Sequence, residues 1–477
     1  MSEPRWTIDA MAVAMSAERR GALPASVPGL SIDTRTIAAG EAFFAIKGDR
    51  DGHAFVPAAL QAGAGLAVVA RDKLAEMPKD ARLLVVPDVL ESLNDLARAA
   101  RSRVDAKVIA VTGSVGKTGT KEALRLALGK QGATHASAAS YNNQWGVPLS
   151  LARMPRDTAY GVFEIGMNHA GEITPLTRMV RPHVAIVTAI APVHLEFFGS
   201  LEAIADAKAE IFLGLEPGGI AVLNRDDAQF ARLSNAARAA GVARIVSFGE
   251  HEDADARLLK VSLQAETSTV AARILGQDVT YKLGAPGRHV VQNSLAVLAA
   301  ATLAGADLAL AALALAELKA PVGRGERATL ELPGGSALLI DESYNANPAS
   351  MRAALALLGH VPMQGLGRRI AVLGDMLELG PEGPALHAGL AEGVVASAVD
   401  LVYCAGPLMK SLWDALPSER RGGYAETAAA LEPEVLAAVR AGDAVMVKGS
   451  LGSRMGPLVK ALKRRSLQSG ETALAQG

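Results

Sequence analysis

The chain is poor in several features that would each announce a class. It has one cysteine, Cys404, among 477 residues; a single thiol excludes an internal disulfide framework and any zinc site built from several cysteines. An excess of charge of one sign is also missing. Lys and Arg number 48 against 49 Asp and Glu, so nothing global recommends the chain to nucleic acid or to an anionic membrane surface. Long uninterrupted apolar runs are lacking too. The alanine-rich stretch from Leu295 to Ala320 is broken by Gly305 and Asp307 and reads as soluble helices, not as a membrane span. The opening "MSEPRWTIDAMAVAM" has no basic start followed by an apolar core, so a secretory signal is not expected. No repeat of fixed period is visible.

What is present is apolar bulk. Half of the residues are hydrophobic, enough for large cores, and the length suggests two to four domains at roughly 150 residues each. The expectation is a cytoplasmic, monomeric protein acting on small molecules, with neither nucleic acid nor membrane insertion. Three regions separate by pattern. Residues 1–105 carry short apolar strands ("EAFFAIKG", "LAVVA", "RLLVVPD") between Gly- and Asp-rich turns. Residues 106–319 hold buried-type strands at "KVIAVT", "GVFEIG", "HVAIVTA", "GIAVLN" and "ARIVSF", the first of them alternating with helices. That is the pattern of a parallel sheet covered on both faces. The later stretch "TSTVAARILGQDVTYKL" alternates in character and reads as antiparallel. Residues 320–477 restart with "ALLIDES", "RRIAVLGDM", "DLVYCAG" and "AVMVKGS", a second and smaller α/β unit. The fold class expected is therefore α/β in three domains.

The segment "VIAVTGSVGKTGTKEAL" carries the chemistry. The usual phosphate loop, G-x-x-x-x-G-K-[ST], has a glycine five residues before the second, and counting back from Gly116 lands on Val111. The setting is nevertheless right. A β-type run feeds the loop, and "KEALRLALGK" follows it as a helix with apolar positions on one side. At such a strand-to-helix turn the exposed N–H groups and the helix dipole bind anions. Gly113 and Gly116 let the backbone approach phosphate oxygens, Lys117 supplies a point charge, and the Thr118 hydroxyl can ligate Mg²⁺. The alternative is a Gly-rich turn with a surface lysine.

The shortened form T-G-S-x-G-K-T resembles that of the ATP-dependent Mur ligases of peptidoglycan synthesis, and Thr112 to Thr118 fit it residue for residue. "YNNQWGVPLSL", "FEIGMNHAGEI", "APVHLEFFGS", "AKAEIF", "GRHVVQNSLAVLAA", "VGRGER", "DESYNANPASM", "LGDMLELG" and "VKGSLGSRM" follow in that family's order. The resemblance covers about Ser31 to Met455. "SYNANPASM" followed by "GDMLELG" resembles the branch that joins D-alanyl-D-alanine to a UDP-N-acetylmuramoyl-tripeptide.

What the resemblance implies is an ATP- and Mg²⁺-dependent amide ligase. It has an N-terminal domain for the UDP-linked substrate, a central ATPase domain, and a C-terminal Rossmann-like domain binding nucleotide and dipeptide. A carboxylate takes the γ-phosphoryl group, and an amine then displaces phosphate from the acyl phosphate. Charge growing on the phosphoryl oxygens demands cations placed in advance. By the same resemblance Gly113, Ser114, Val115, Gly116, Lys117, Thr118 and Gly119 hold phosphates. Thr118 and Glu164, the latter at the C-terminal edge of "GVFEI", hold Mg²⁺. His194, in the family pattern P-x-H-L, stands near the metal. Lys208 becomes a carbamate that holds a second Mg²⁺, which requires a neutral amine and hence a depressed pKa; helical spacing alone reads it as a surface lysine. Asn293 resembles the residue that reads adenine, and Arg324 and Asp341 resemble ribose and phosphate contacts. Asn142 and Asn143 suit hydrogen bonds to a sugar or peptide, or equally a cap before Pro148. Asn345 and Asn347 fall near nucleotide and dipeptide, Asn347-Pro348 also starting a helix. Glu378, His387, Lys448 and Ser450 can meet the dipeptide. Ser31, Thr34, Arg35 and Lys47, with Asp51–His53 nearby, correspond to the uridine-nucleotide pocket.

Departures exist. Leu451 stands where the family usually has arginine, with Arg454 three residues on; Gly456 replaces an acid, and Glu342 a common aspartate. Two other readings remain open. A sister ligase adding the third amino acid would show D-Y-A-H in place of "SYNANP". A nucleotide-binding regulator without turnover would have lost Lys117, Glu164 or Lys208, and all three are present.

Overall fold

The computed structural model describes residues 5–474 apart from 49, 139, 194, 265, 321, 322 and 364, and for 467–474 the backbone alone. Three larger sheets follow one another along the chain, each flanked by helices. The first orders its strands Glu18–Arg20, Leu83–Val86, Leu66–Ala70, Ala42–Phe44 and Leu30–Ser31, parallel except for the first pair. Its apolar runs are buried on both faces, as continuous hydrophobic strands require. Helix Val89–Ser102 covers one face and starts where Asp88 accepts the Glu91 N–H at 2.8 Å.

The second sheet holds nine strands: Gln277–Leu283, Ser268–Ile274, Ala256–Leu263, Arg244–Gly249, Ile220–Asn224, Val184–Val187, Lys107–Thr112, Tyr160–Glu164 and Thr134–Ala136, in spatial order. The three strands from Ala256 onward form an antiparallel meander; the rest pair in parallel. The last hairpin turns at Leu275 and Gly276, φ +50° and +87°, the positive pair a two-residue turn uses to match strand twist. Lys107–Thr112 lies between Tyr160–Glu164 and Val184–Val187, so the chain leaves it first to one side and later to the other. That reversal opens a crevice at the strands' carboxyl ends, where α/β sheets bind ligands. Separate cores fill the two faces, Leu124 and Leu298 in one, Phe163 and Phe212 in the other.

The third sheet orders Glu326–Leu332, Gly335–Glu342, Ala444–Lys448, Arg369–Gly374, Leu401–Ala405 and Arg421–Ala425, parallel after an antiparallel first pair. The three-domain α/β class expected from the strand runs is what the chain adopts. Among the described residues no helix is long and apolar enough to cross a membrane. The alanine-rich stretch folds as helices Arg288–Leu303 and Leu308–Ala314, broken at Gly305 and restarted by the Asp307 cap.

The first two sheets are welded together. Leu149 and Ala152, on helix Gly146–Ala152 of the second region, sit in one core with Leu93 and Leu96 of the first. Trp6 Nε1 donates to the Ala152 carbonyl at 2.8 Å. Arg101, buried with its pKa lowered by that burial, donates to the carbonyls of Val180 and Arg181 at 2.9 and 3.0 Å. Among the described residues, the third sheet's two cores draw on its own domain alone.

Candidate active site

The loop after Lys107–Thr112 is shaped by its glycines and held from the neighbouring strand. Gly113 has φ +146° and Gly116 φ +84°. A Cβ on Gly113 would overlap Thr188 Oγ1, and one on Gly116 would overlap Asn293 Nδ2. Thr188, just beyond Val184–Val187, donates its hydroxyl to the Val115 carbonyl at 2.6 Å. The Ser114 N–H and hydroxyl donate to the carbonyls of Ala189 and Ala191 at 2.7 and 3.0 Å. Helix Lys117–Gly129 then begins with no side chain capping it, leaving first-turn N–H groups open to an anion. Lys117 Nζ folds back onto the Gly113 carbonyl at 2.7 Å. Burial pushes its pKa down, Arg324 nearby adds to that, and Glu164 opposes it.

Glu164 closes the floor. It is fully buried; Oε2 accepts the Thr118 hydroxyl at 2.9 Å and Oε1 the Asn142 amide at 2.6 Å. A carboxylate and a hydroxyl beside a phosphate cradle fit Mg²⁺, which usually takes one or two carboxylates and completes its shell with water and phosphate oxygens. The Thr120 hydroxyl, buried on the same wall, has no hydrogen-bond partner. No group of three or more His, Cys, Asp or Glu that could hold a metal occurs among the described residues. Lys208, on helix Leu201–Ala209, is 1 % exposed. Burial holds its pKa well below the ordinary lysine range, and the Lys117 charge pushes the same way. The amine is thus driven toward the neutral form that carbamate formation requires. His194 lies outside the described residues.

A cleft of about 660 Å³ separates the second and third domains and collects most of the expected residues. Ser114–Gly119, Asn142, Glu164 and Asn293 line one side; Asn345, Asn347, Glu378, Lys448 and Ser450 line the other, with Arg324 at the junction. The Arg324 guanidinium lies 4.5 Å over the Tyr344 ring. Lys448, 2 % exposed, donates to Glu342 Oε2 at 3.1 Å and to the Asn345 carbonyl at 2.9 Å. Asn347 caps helix Pro348–Gly359: its Oδ1 accepts the Ser350 N–H at 2.9 Å, and Ser350 Oγ accepts the Asn347 N–H at 3.0 Å. Lys117, Lys319, Arg324 and Lys448 line the cleft against Glu164, Glu342 and Glu378, a positive lean that suits a triphosphate.

Other expected contacts are turned elsewhere. Asn143 Oδ1 accepts the N–H groups of Trp145 and Gly146 at 3.3 and 2.9 Å; of the adjacent asparagines it closes the turn and Asn142 is the cleft residue. Asp341 Oδ1 accepts from the Ser343 N–H and hydroxyl at 3.0 and 2.7 Å, behind the cleft wall. His387 is fully buried with both ring nitrogens on backbone groups, Met376 N–H and the Gly383 carbonyl. Arg454 is exposed and outside the cleft lining, whereas Leu451 lines it, so Arg454 does not replace the family's usual arginine here. In the first domain Ser31 is buried and closes a turn with Asp33, Thr34 is half-buried, and Lys47 is exposed. Arg35 is exposed and pairs through two nitrogens with Asp33, whose carboxyl it holds below the usual range. His53 bridges Asp51 Oδ1 at 2.6 Å and the Ala70 N–H at 2.9 Å. Sequence reasoning missed Thr188 and His289, both on this cleft's framework. Position at the end of "HVAIVTA" was the only signal for Thr188.

Three family descriptions match in succession: "Mur ligase family, catalytic domain" over residues 26–101, "Mur ligase middle domain" over 111–301, and "Mur ligase, glutamate ligase domain" over 323–451. The chain is 35 % identical over 459 residues to the UDP-N-acetylmuramoyl-tripeptide–D-alanyl-D-alanine ligase of Escherichia coli (strain K12), covering 96 % of this chain and 98 % of that protein. It superposes on the crystal structure of MurF from Acinetobacter baumannii with a TM-score of 0.82 at 30 % identity, over 97 % and 99 % of the two chains. MurF ligase from Thermotoga maritima, solved in complex with ADP, aligns at 26 % identity and a TM-score of 0.74, over 92 % and 98 %. With the phosphate loop, the buried Glu164 and the three-domain order already in place, the conclusion is direct: the chain belongs to the Mur ligase family.

Proposed function

We infer that the chain joins D-alanyl-D-alanine to UDP-N-acetylmuramoyl-tripeptide with hydrolysis of ATP to ADP and phosphate. The observation that carries this reading is the cleft itself. It sets a phosphate cradle and a buried Thr118–Glu164 pair opposite Asn345, Lys448 and Ser450, in a chain 35 % identical from end to end to a ligase of that activity. The tripeptide's terminal carboxylate attacks the γ-phosphorus and ADP leaves. The dipeptide amine then attacks the acyl carbonyl, loses a proton, and phosphate departs with the former carboxylate oxygen.

Each residue has a task within this reaction. The Gly113–Gly119 backbone and Lys117 bind and orient the phosphates, Lys117 exchanging the Gly113 carbonyl for a phosphoryl oxygen. Thr118 and Glu164 hold Mg²⁺, with Asn142 fixing the carboxylate's rotation. Bound Mg²⁺ supplies charge neutralisation at the phosphoryl oxygens. Lys208 as its carbamate, and His194, complete the metal surroundings by family resemblance. Asn293 and Arg324 hold the nucleotide from the two sides of the cleft, and Asp341 supports that wall from behind. Asn345, Asn347, Lys448 and Ser450 receive the dipeptide. Ser31, Thr34, Arg35 and Lys47 take the uridine diphosphate end, Arg35 releasing Asp33 to do so; Asn143 shapes the turn that carries Asn142. Residues 1–105, 106–319 and 320–477 correspond to these three binding tasks.

The test is phosphate release from ATP with tripeptide-nucleotide and D-alanyl-D-alanine added singly and together. Release that needs both is expected. Release independent of the dipeptide rejects the reading.

A further inference from the structure

One loop on the acceptor side of the cleft is strained, and it touches the opposite domain. Glu378 has φ +63° and Gly380 φ +61°. A bulky non-glycine residue in this region persists only where its neighbours fix the chain on both sides, and here they do. The Met376 N–H donates to His387 Nε2 and the Leu377 N–H to Ser450 Oγ, each at 3.0 Å. Leu379, 3 % exposed, is locked into the third domain's core. With both flanks held, the left-handed turn sends the Glu378 carbonyl outward. It accepts the N–H of Glu196 at 3.3 Å, from helix Leu195–Phe198 of the central domain. Gly380 approaches the same residue: a Cβ there would stand 3.4 Å from Glu196 Cα.

We propose that Leu377–Gly380 is a docking loop, and that the Glu378 carbonyl meeting the Glu196 N–H fixes where the acceptor-binding wall stands relative to the phosphate loop. This rests on the ligase reading above. The loop and the wall are one unit, because Ser450 both holds the Leu377 N–H and lines the cleft. Displacing the loop therefore displaces the groups that receive the amine, while leaving the Thr118–Glu164 pair untouched. The Glu196 N–H and the Glu378 carbonyl are positioning groups.

The test uses pairs of variants that differ only in the backbone property at issue. Glu196→Pro deletes the N–H in the first turn of an exposed helix, where proline is tolerated; Glu196→Ala keeps it. Losing one such hydrogen bond is expected to lower kcat/KM for D-alanyl-D-alanine about five-fold relative to Glu196→Ala. The KM for tripeptide-nucleotide and the melting temperature should stay unchanged. Glu378→Asn and Glu378→Val both remove the carboxylate, but asparagine accepts the left-handed conformation and a β-branched residue does not. The valine variant should therefore be the weaker enzyme toward dipeptide. Equal dipeptide kinetics within either pair, or a parallel shift in both substrates' KM values, overturns the proposal. A wild-type enzyme lacking dipeptide-dependent phosphate release would instead sink the ligase reading.

Discussion

Replacing Lys208 by methionine should stabilise the protein while abolishing turnover. The side chain is 1 % exposed, and its pKa is depressed first by burial and then by the Lys117 charge. A base whose folded pKa is lowered binds fewer protons in the native state than in the unfolded chain. Its penalty is therefore complete below the folded pKa, shrinks as pH rises through the window, and vanishes above the ordinary value near 10.4. Methionine keeps an unbranched chain of similar length and removes the titrating group. Exchanging buried charge for packed apolar volume gains about 1–4 kcal/mol in favourable cases. At roughly 2–4 °C per kcal/mol for a domain of some 200 residues, that is a rise of several degrees.

The assay is thermal unfolding of wild type and Lys208→Met from pH 6.5 to 10 in buffers stripped of CO₂. The gap in melting temperature should be widest at the acid end and close toward pH 10, changing by no more than about 1.4 kcal/mol per pH unit. Adding bicarbonate should stabilise the wild type alone, because a carbamate forms on the native neutral amine and draws the equilibrium toward the folded state. A methionine variant that melts lower, or a gap constant with pH, refutes the reasoning. Lys208→Ala should likewise lose activity severely, with partial rescue by short carboxylic acids.

Gly113→Ala should lower kcat/KM for ATP on the order of 100-fold, since its Cβ overlaps Thr188 Oγ1 and moving the loop by about 1 Å suffices for such a loss; steady-state kinetics with unchanged circular dichroism would check it. Asn347→Ala removes a helix cap and one half of a reciprocal pair with Ser350. It should lower stability by about 1 kcal/mol, and Asn347→Asp, which still accepts the Ser350 N–H, should restore most of it.

The central sheet was legible because strands buried on both faces must be apolar without interruption, as in "KVIAVT" and "HVAIVTA", and the meander because one-sided burial leaves alternation. Order within the sheet was not legible. Tyr160–Glu164 sits between two strands earlier in the chain, a choice made by packing between distant segments. Local ambiguity hid other features. Asn142 and Asn143 are chemically identical neighbours, and only the folded turn decides that one reaches Glu164 while the other closes the turn before helix Gly146–Ala152. Helical spacing alone reads Lys208 as a surface lysine, whereas the fold buries it; its depressed pKa was expected from family resemblance and not from the pattern. Arg35 reads as a diphosphate ligand in the sequence, and its pairing with Asp33, two residues away, is a local contact that only the folded turn reveals.

The cores divide the molecule differently from its sheets. Helix Gly146–Ala152 buries Leu149 and Ala152 among residues of the first domain, and Arg101 ties helix Val89–Ser102 to the carbonyls ending helix Ile173–Val180. Separating those two domains would expose a shared core and strip a buried guanidinium of its acceptors, both expensive. Among the described residues the third domain shares no core with them, and it meets the central one through Arg324, the cleft walls and the Glu378–Glu196 contact. On the proposed reaction, the carboxylate donor and the ATP phosphates are therefore held by one body and the amine nucleophile by the other, with Arg324 reaching the nucleotide across the cleft. An acyl phosphate hydrolyses readily in water, and amide formation needs nucleophile and carbonyl about 3 Å apart. Both requirements fall on the same interface, so the few groups that seat one body on the other govern yield per ATP as well as rate.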